Sequence, residues 1–330
     1  MDTGNASYPP LGMSSVTSQI APIRDVWATN LEQEMTLIMN LVSRYPVISM
    51  DTEFPGVVAR PLGIFKSSGD YHYQTLRANV DTLKIIQIGL AMSDEDGNVP
   101  PEAFTWQFNF RFNIQEDMYA PESIELLTKS GIDFKKHQEA GIEPADFAEL
   151  LIGSGLVLQE DITWVTFHSG YDFAYLLKAM TQLSLPSEYE EFYKILCIYF
   201  PKTYDIKYIM KSLLNNSKGL QDIADDLQIN RIGPQHQAGS DALLTSRIFF
   251  EIRSRYFDGN IDSRMQNQLY GLGSSGSSLW MNTPKPQFRD LPGAQPSPKP
   301  TTPNISSTFA NPPASVSLSN SNFRFPPRVI

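Results

Sequence analysis

Residues 30–45, NLEQEMTLIMNLVSRY, space Leu31, Met35, Ile38, Met39 and Val42 at helical intervals, with Asn30 available as an N-cap. The period then changes. YPVISMDTEF enters a strand, and LKIIQIGLAM and FTWQFNFRFN read as two more, separated by the turn-rich SDEDGNVPP, which predicts an antiparallel hairpin. Helical stretches around 122–129 and 145–152 precede TWVTFHSG, a short buried-type strand that leads into the helix YDFAYLLKAM. TYDIKYIMKSLL, GLQDIADDLQI and SDALLTSRIFFEIRSRYF are all helix-like, the last with Ser240 as a candidate N-cap. A hairpin followed by strand-helix alternation predicts a single α/β domain, a mixed β-sheet with α-helices packed on it.

Periodicity stops at both ends of the chain. From Gly271 onward the sequence is rich in Ser, Asn and Pro and holds 11 of the 24 prolines, too little apolar surface to offset the entropy of ordering. The expected organisation is a disordered N-terminal segment 1–21, a domain over 22–270, and a disordered tail 271–330.

Charge narrows the function classes. The formal net charge is −10, the wrong sign for a protein that grips nucleic acid by broad electrostatic attraction. Residues 271–330 carry five Lys or Arg and one acid, so residues 1–270 hold 21 Lys or Arg against 35 acids, a net of −14. Any polyanion must therefore be met locally, through a metal, a few basic residues or a partner. No apolar run approaches the roughly 18–20 residues of a spanning helix; FYKILCIYF is too short and is broken by Lys194. The first basic residue is Arg24 and no apolar segment follows the start, which argues against a secretory signal. Cys197 is the single cysteine and is read as a core residue, so the expected compartment is reducing: cytoplasm, and nucleus as a second location.

Against this background a few polar residues stand out. Asp51 and Glu53 follow a hydrophobic strand and, two apart, point to one face, where like charges repel unless something positive sits between them. Asp172 lies just past a strand end at the opening of a helix, the place where ligands gather in α/β sheets. His236 sits on a Gly- and Pro-rich loop, five residues before Asp241 on the first turn of a helix. Each has a plain structural reading of its own: a solvated strand end, a helix-dipole partner, a surface pair.

Their order changes the balance. An acid pair on an early strand, a third acid after a middle strand and a His-x4-Asp near the domain end resemble the three motifs of the DEDD nuclease superfamily, histidine-containing branch. DTEFPGVVARP, LRANVDTLKIIQIGLAM, WQFNFRFN, IELLTKSGIDF, FHSGYDFAYLL and RIGPQHQAGSDALLT closely resemble the Pop/Caf-type messenger-RNA deadenylases, over about 22–272. That resemblance implies an RNase H-like fold, a poly(A)-specific 3′→5′ exoribonuclease releasing 5′-AMP, and two divalent metal ions, Mg2+ or Mn2+ with Zn2+ as a further option. It also implies a protein scaffold of the Not type and a second deadenylase subunit as partners, with the RNA 3′ poly(A) tail as substrate and no membrane. Asp51, Glu53, Asp172 and Asp241 are the implied acidic quartet and His236 the implied base.

Physical chemistry agrees with that assignment. A phosphodiester repels hydroxide unless positive charge neutralises its oxygens, and hard divalent ions prefer carboxylate oxygens. On this reading Asp51, Glu53 and Asp241 hold one ion, and Asp51 and Asp172 the other. His236 takes the proton of the attacking water, a role suited to a side chain whose unperturbed pKa is about 6.5. Phe54 is read either as a base-stacking platform or as packing, His168 as a satisfied, partly buried histidine, and His72 and His137 as solvated surface. Two rival functions remain: a non-catalytic adaptor in the same complex, and a DEDD exonuclease acting on another nucleic acid.

Overall fold

The computed structural model describes residues 23–101, 105–215 and 218–272. In chain order the first half contains β1 (Arg24–Val26), α1 (Leu31–Leu41), β2 (Val47–Glu53), α2 (Ser68–Thr82), β3 (Gln87–Ser93), β4 (Thr105–Asn109), α3 (Pro121–Lys129), α4 (Phe134–Ala140) and α5 (Pro144–Gly153). The second half contains β5 (Thr163–Thr166), α6 (Gly170–Thr181), α7 (Tyr189–Tyr199), β6 (Thr203–Asp205), α8 (Ile206–Leu214), α9 (Leu220–Asp226) and α10 (Ala238–Phe257). The strands form one mixed sheet in the order β1-β4-β3-β2-β5-β6. β2, β3 and β4 run antiparallel to their neighbours in that trio, as the hairpin pattern predicts, and the outer pairings β1/β4, β2/β5 and β5/β6 are parallel. A mixed sheet with helices packed on both faces is the α/β arrangement that the hairpin and the strand-helix alternation predict. Among the described residues no helix is long and apolar enough to cross a membrane.

Side-chain alternation divides the core between the two faces of the sheet. Ile48 and Met50 of β2, Ile88, Leu90 and Met92 of β3, Trp106 and Phe108 of β4 and Trp164 of β5 pack into a large cluster with α1, α2, α5, α6 and α7. Val47, Val165 and Tyr204 point the other way, into a second cluster with α8, α9 and α10. Under α10 the middle strands carry small residues: Ser49 and Gly89, and Ala91, which packs on Ala242 and Leu243. A long helix can therefore lie close on the sheet, directly over the face that Asp51 and Glu53 share.

Several local expectations are corrected. TYDIKYIMKSLL is not helical throughout: Thr203–Asp205 pairs with β5 as strand β6, and Asp205 then caps α8 by accepting the amides of Lys207 and Tyr208. The N-cap of α10 is Gln237 rather than Ser240, which lies inside the helix. Asn30 does precede α1, yet its side chain turns back, accepting the Trp27 amide at 2.8 Å instead of capping the helix. His137 is not solvated surface: it is 1% exposed, its Nδ1 is 2.7 Å from the Phe110 carbonyl, and its ring meets Trp27 edge-on. At the start of the expected tail, Leu272 packs on the larger cluster, and the carbonyl of exposed Gly271 is 3.2 Å from His72 Nδ1. The rest of the expected tail, and the expected N-terminal segment 1–21, lie outside the described residues.

Candidate functional site at the end of the central strand

In the ladder, Asp51 stands opposite Gly89 and Glu53 opposite Gln87. Gly89 is glycine for a steric reason: a Cβ there would lie 1.9 Å from the Ala238 carbonyl oxygen. Gly239 is as confined, since its Cβ would come within 2.7 Å of Ile23 Cγ2. With both positions bare, α10 begins directly against β3 and its first turn delivers Asp241 beside Glu53. One ligand atom each from Glu53, His236 and Asp241 lie within 4.8 Å of one another. His236 is held in a left-handed conformation, φ 60°, and its amide donates to Asp241 Oδ2 at 3.0 Å.

Asp172 arrives from the other face of the sheet. It lies in the first turn of α6, 6% exposed, and its Oδ1 accepts the hydroxyl of Thr52, the residue between Asp51 and Glu53 that points away from α10. The turn that starts α6 hangs on Asp205, whose carboxylate accepts the amides of His168 at 2.9 Å, Ser169 at 3.2 Å and Tyr270 at 3.0 Å. One buried acid thus ties the entry to α6, the start of α8 and the chain segment after α10 together.

The electrostatics match a crowded acidic cluster. Burial, then repulsion from Asp241, Asp172 and Glu53, pushes the Asp51 carboxyl well above the carboxylate range, against the opposing charge of Arg231. Glu53 is raised in the same way by burial and by Asp241 and Asp172, again opposed by Arg231. Asp172 is pushed up to about 7, chiefly by burial, although the Thr52 hydrogen bond pulls the other way. Asp241 is raised by burial and held back by Arg231 and His236. The five residues singled out in the sequence therefore meet: three within ligand distance, and Asp51 and Asp172 through their mutual charge.

Residues other than the five implied ones support them from below. Gln87 Oε1 accepts the Ala238 amide at 3.2 Å and Gln107 Oε1 the Gly239 amide at 3.0 Å, so two open N–H groups of the first turn of α10 are satisfied from the sheet. Gln237 Oε1 accepts from Gln107 at 2.9 Å and from Gln87 at 3.2 Å, and Asn109 Oδ1 accepts from Gln87 at 2.8 Å. Each buried donor left without such a partner would cost about 1–3 kcal/mol. The available signal was an amide at a buried position of an otherwise apolar strand: Gln87, Gln107 and Asn109. Arg231 was also missed; its Nη1 is 2.5 Å from Asp241 Oδ1.

The histidines other than His236 make contacts of their own or face solvent. The His168 ring meets Tyr270 edge-on at 5.0 Å, and His72 is exposed. Phe54 stacks on Tyr171 at 4.8 Å and leans on Tyr175, packing that holds the chain leaving β2 against α6.

Comparison with known proteins agrees with this arrangement. The model of the CAF1 family ribonucleases matches residues 26–149 and 155–249. The Schizosaccharomyces pombe protein "Poly(A) ribonuclease pop2" is 80% identical over 329 residues, covering 99% of this chain and 98% of that one. An Arabidopsis thaliana relative, "Probable CCR4-associated factor 1 homolog 7", is 51% identical over 78% of this chain and 95% of its own. Among solved structures, S. pombe Pop2p in its Mg2+- and Mn2+-bound form is 87% identical with a TM-score of 0.76, covering 76% of this chain and all of that one. Yeast CAF1 co-crystallised with the NOT1 MIF4G domain is 33% identical with a TM-score of 0.64, covering 80% of this chain and all of that one. The chain belongs to the CAF1 family of ribonucleases.

Proposed function

We infer that this chain is a poly(A) ribonuclease, a metal-dependent 3′→5′ exonuclease that shortens messenger-RNA poly(A) tails and releases 5′-AMP as the catalytic subunit of a deadenylase complex. The observation that carries this is the meeting of Glu53, His236 and Asp241 at the end of β2, in a chain 80% identical to the S. pombe poly(A) ribonuclease.

The cofactors are divalent ions, Mg2+ or Mn2+, as in the S. pombe Pop2p structure. The donors fit such ions, being hard carboxylate oxygens crowded until their charge needs an opposite partner. Asp51, Glu53 and Asp241 would hold one ion, and Asp51 with Asp172 the other. When bound, the ions neutralise the phosphate oxygens and make hydroxide available from water at neutral pH. His236, half buried beside Glu53 and Asp241, accepts the proton of the attacking water. Thr52 holds the Asp172 carboxylate by its hydroxyl, so that acid keeps one orientation.

A pH dependence follows. A carboxyl raised in the folded chain binds protons that the unfolded chain releases near pH 4, so ion-free stability falls as pH rises from about 4 to about 7. Asp172 alone contributes up to roughly 4 kcal/mol across that window. Ions replace those protons, so the rise in melting temperature on adding Mg2+ is expected to be larger at pH 8 than at pH 5. Equal rises at the two pH values would contradict the raised carboxyls.

Partners follow from charge and kinship. With a net of −14 over residues 1–270, the chain releases few phosphate counterions by itself and binds RNA weakly. A scaffold of the NOT1 type, as bound by yeast CAF1, and a second deadenylase subunit supply that affinity. A reducing location, cytoplasm and nucleus, accords with the free thiol of Cys197.

The test is a ladder assay on 3′-adenylated RNA with and without divalent ions, beside a DNA oligonucleotide of equal length. Stepwise shortening of the RNA that needs ions, and slower loss of DNA, is the expected result. DNA degraded as fast as RNA would point to another DEDD substrate. No degradation together with no divalent binding by calorimetry would leave the adaptor.

A further inference from the structure

Arg231 opens the segment RIGPQHQAGSDALLT between α9 and α10 but is none of the five implied site residues, and its side chain is 11% exposed. Its Nε donates to Gln221 Oε1 at 2.7 Å, and its Nη1 to Ser240 Oγ at 3.0 Å and to Asp241 Oδ1 at 2.5 Å. Nη2 is buried and, among the described residues, meets no hydrogen-bond partner. Ser240, the second residue it grips, is itself anchored through its hydroxyl to the Ile232 carbonyl at 2.8 Å.

Burying a guanidinium costs several kcal/mol, more so with a donor left over, and neutral side chains would join α9 to α10 with less penalty. The charge therefore has a use. Arg231 touches one carboxylate, that of Asp241, and its field reaches Asp51 and Glu53 as well. Asp241 has both oxygens committed, Oδ1 to Arg231 and Oδ2 to the His236 amide, which leaves the carboxylate one orientation beside Glu53. Arginine suits this better than lysine, because its planar fork makes three directed bonds at once and it stays charged when buried.

We propose that Arg231 is a positioning residue of the nuclease site and its standing counter-charge: it fixes the Asp241 carboxylate toward Glu53 and His236, and offsets the clustered acids while no ion is bound. The inference rests on the metal-dependent reading above. Charge and geometry separate on substitution, since Arg231→Lys keeps the first and loses the fork, whereas Arg231→Gln loses both.

The experiment compares full-length wild type, Arg231→Lys and Arg231→Gln by thermal melting in chelator and in saturating Mg2+, and by turnover on 3′-adenylated RNA in saturating Mg2+. Arg231→Gln is expected to lose much more melting temperature in chelator than in Mg2+, because ions then supply the missing charge. A Gln variant that folds only with Mg2+ would be the same result in extreme form. Arg231→Lys is expected to keep most of the chelator melting temperature. Both variants should turn over about ten- to a hundredfold more slowly, because Asp241 is no longer fixed. Equal melting losses with and without ions, or wild-type turnover in the Lys variant, would overturn the proposal and leave Arg231 a simple tie between helices. A wild type whose melting ignores Mg2+ would overturn the metal reading itself, and this inference with it.

Discussion

Asp51→Ala is expected to abolish RNA shortening, by about a thousandfold or more, and to remove divalent-ion binding. A loss of that size corresponds to about 4 kcal/mol of transition-state stabilisation, within the range that charge neutralisation by bound ions supplies. Asp51 is the right residue to expect it from, because it feels Asp241, Asp172 and Glu53 together and so stands between the donors that approach from α10 and the one that approaches from α6. The same geometry gives an opposite sign for stability. Removing one of four mutually repelling carboxylates relieves the ion-free fold, so the variant should melt in chelator at or above the wild-type temperature. In Mg2+ the order should reverse, because only wild type gains from the ion by mass action. Calorimetry and paired melting curves check both halves. Unchanged ion affinity in Asp51→Ala would remove Asp51 from the metal site.

Much of this site could be read from the chain because it depends on local periods. Alternation along VISMDTEF puts Asp51 and Glu53 on one face, and the strand-to-helix change in TWVTFHSGYDFAYLL puts Asp172 on a first helical turn; the structure has both. The polar turn between two apolar runs likewise gave the β3/β4 hairpin. What escaped was decided by partners far away in sequence. Ser240 has the local look of an N-cap, but α10 starts two residues earlier, where its first amides, those of Ala238 and Gly239, are received by Gln87 and Gln107, 151 and 132 residues away. β6 is only three residues long and is a strand because β5 is there to pair with it. His137 sits in the polar string FKKH, yet its helix α4 turns the ring inward, where the Phe110 carbonyl and Trp27 receive it. Arg231 carries no periodic signal of its own and joins the site only because α9 and α10 close around it, through Gln221 and Asp241.

The second large effect is expected from a single methyl group that carries no charge, placed opposite Asp51 in the ladder. Gly89→Ala would place a Cβ 1.9 Å from the Ala238 oxygen, 2.2 Å from its carbonyl carbon and 2.6 Å from the Gly239 nitrogen. All three are backbone atoms, so no side chain can swing aside. An ordinary C···O contact is about 3.3 Å, and the start of α10 must therefore retreat by roughly 1.5 Å. That retreat breaks the bonds from the Ala238 and Gly239 amides to Gln87 and Gln107, and carries Asp241 and the His236 turn away from Glu53. Overpacking of this kind costs about 1–3 kcal/mol in stability, and a shift of this size at a catalytic group about a hundredfold in rate. Gly153→Ala is the matched control: Gly153 ends α5 with no atom within 4 Å of its would-be Cβ, so that substitution should stabilise the chain slightly, by about 0.5–1 kcal/mol, with full activity. Melting temperature, Mg2+ titration and the RNA ladder are measured on both variants. If Gly89→Ala keeps wild-type ion binding and turnover, the close seat of α10 on β3 is not what brings Asp241 to the site.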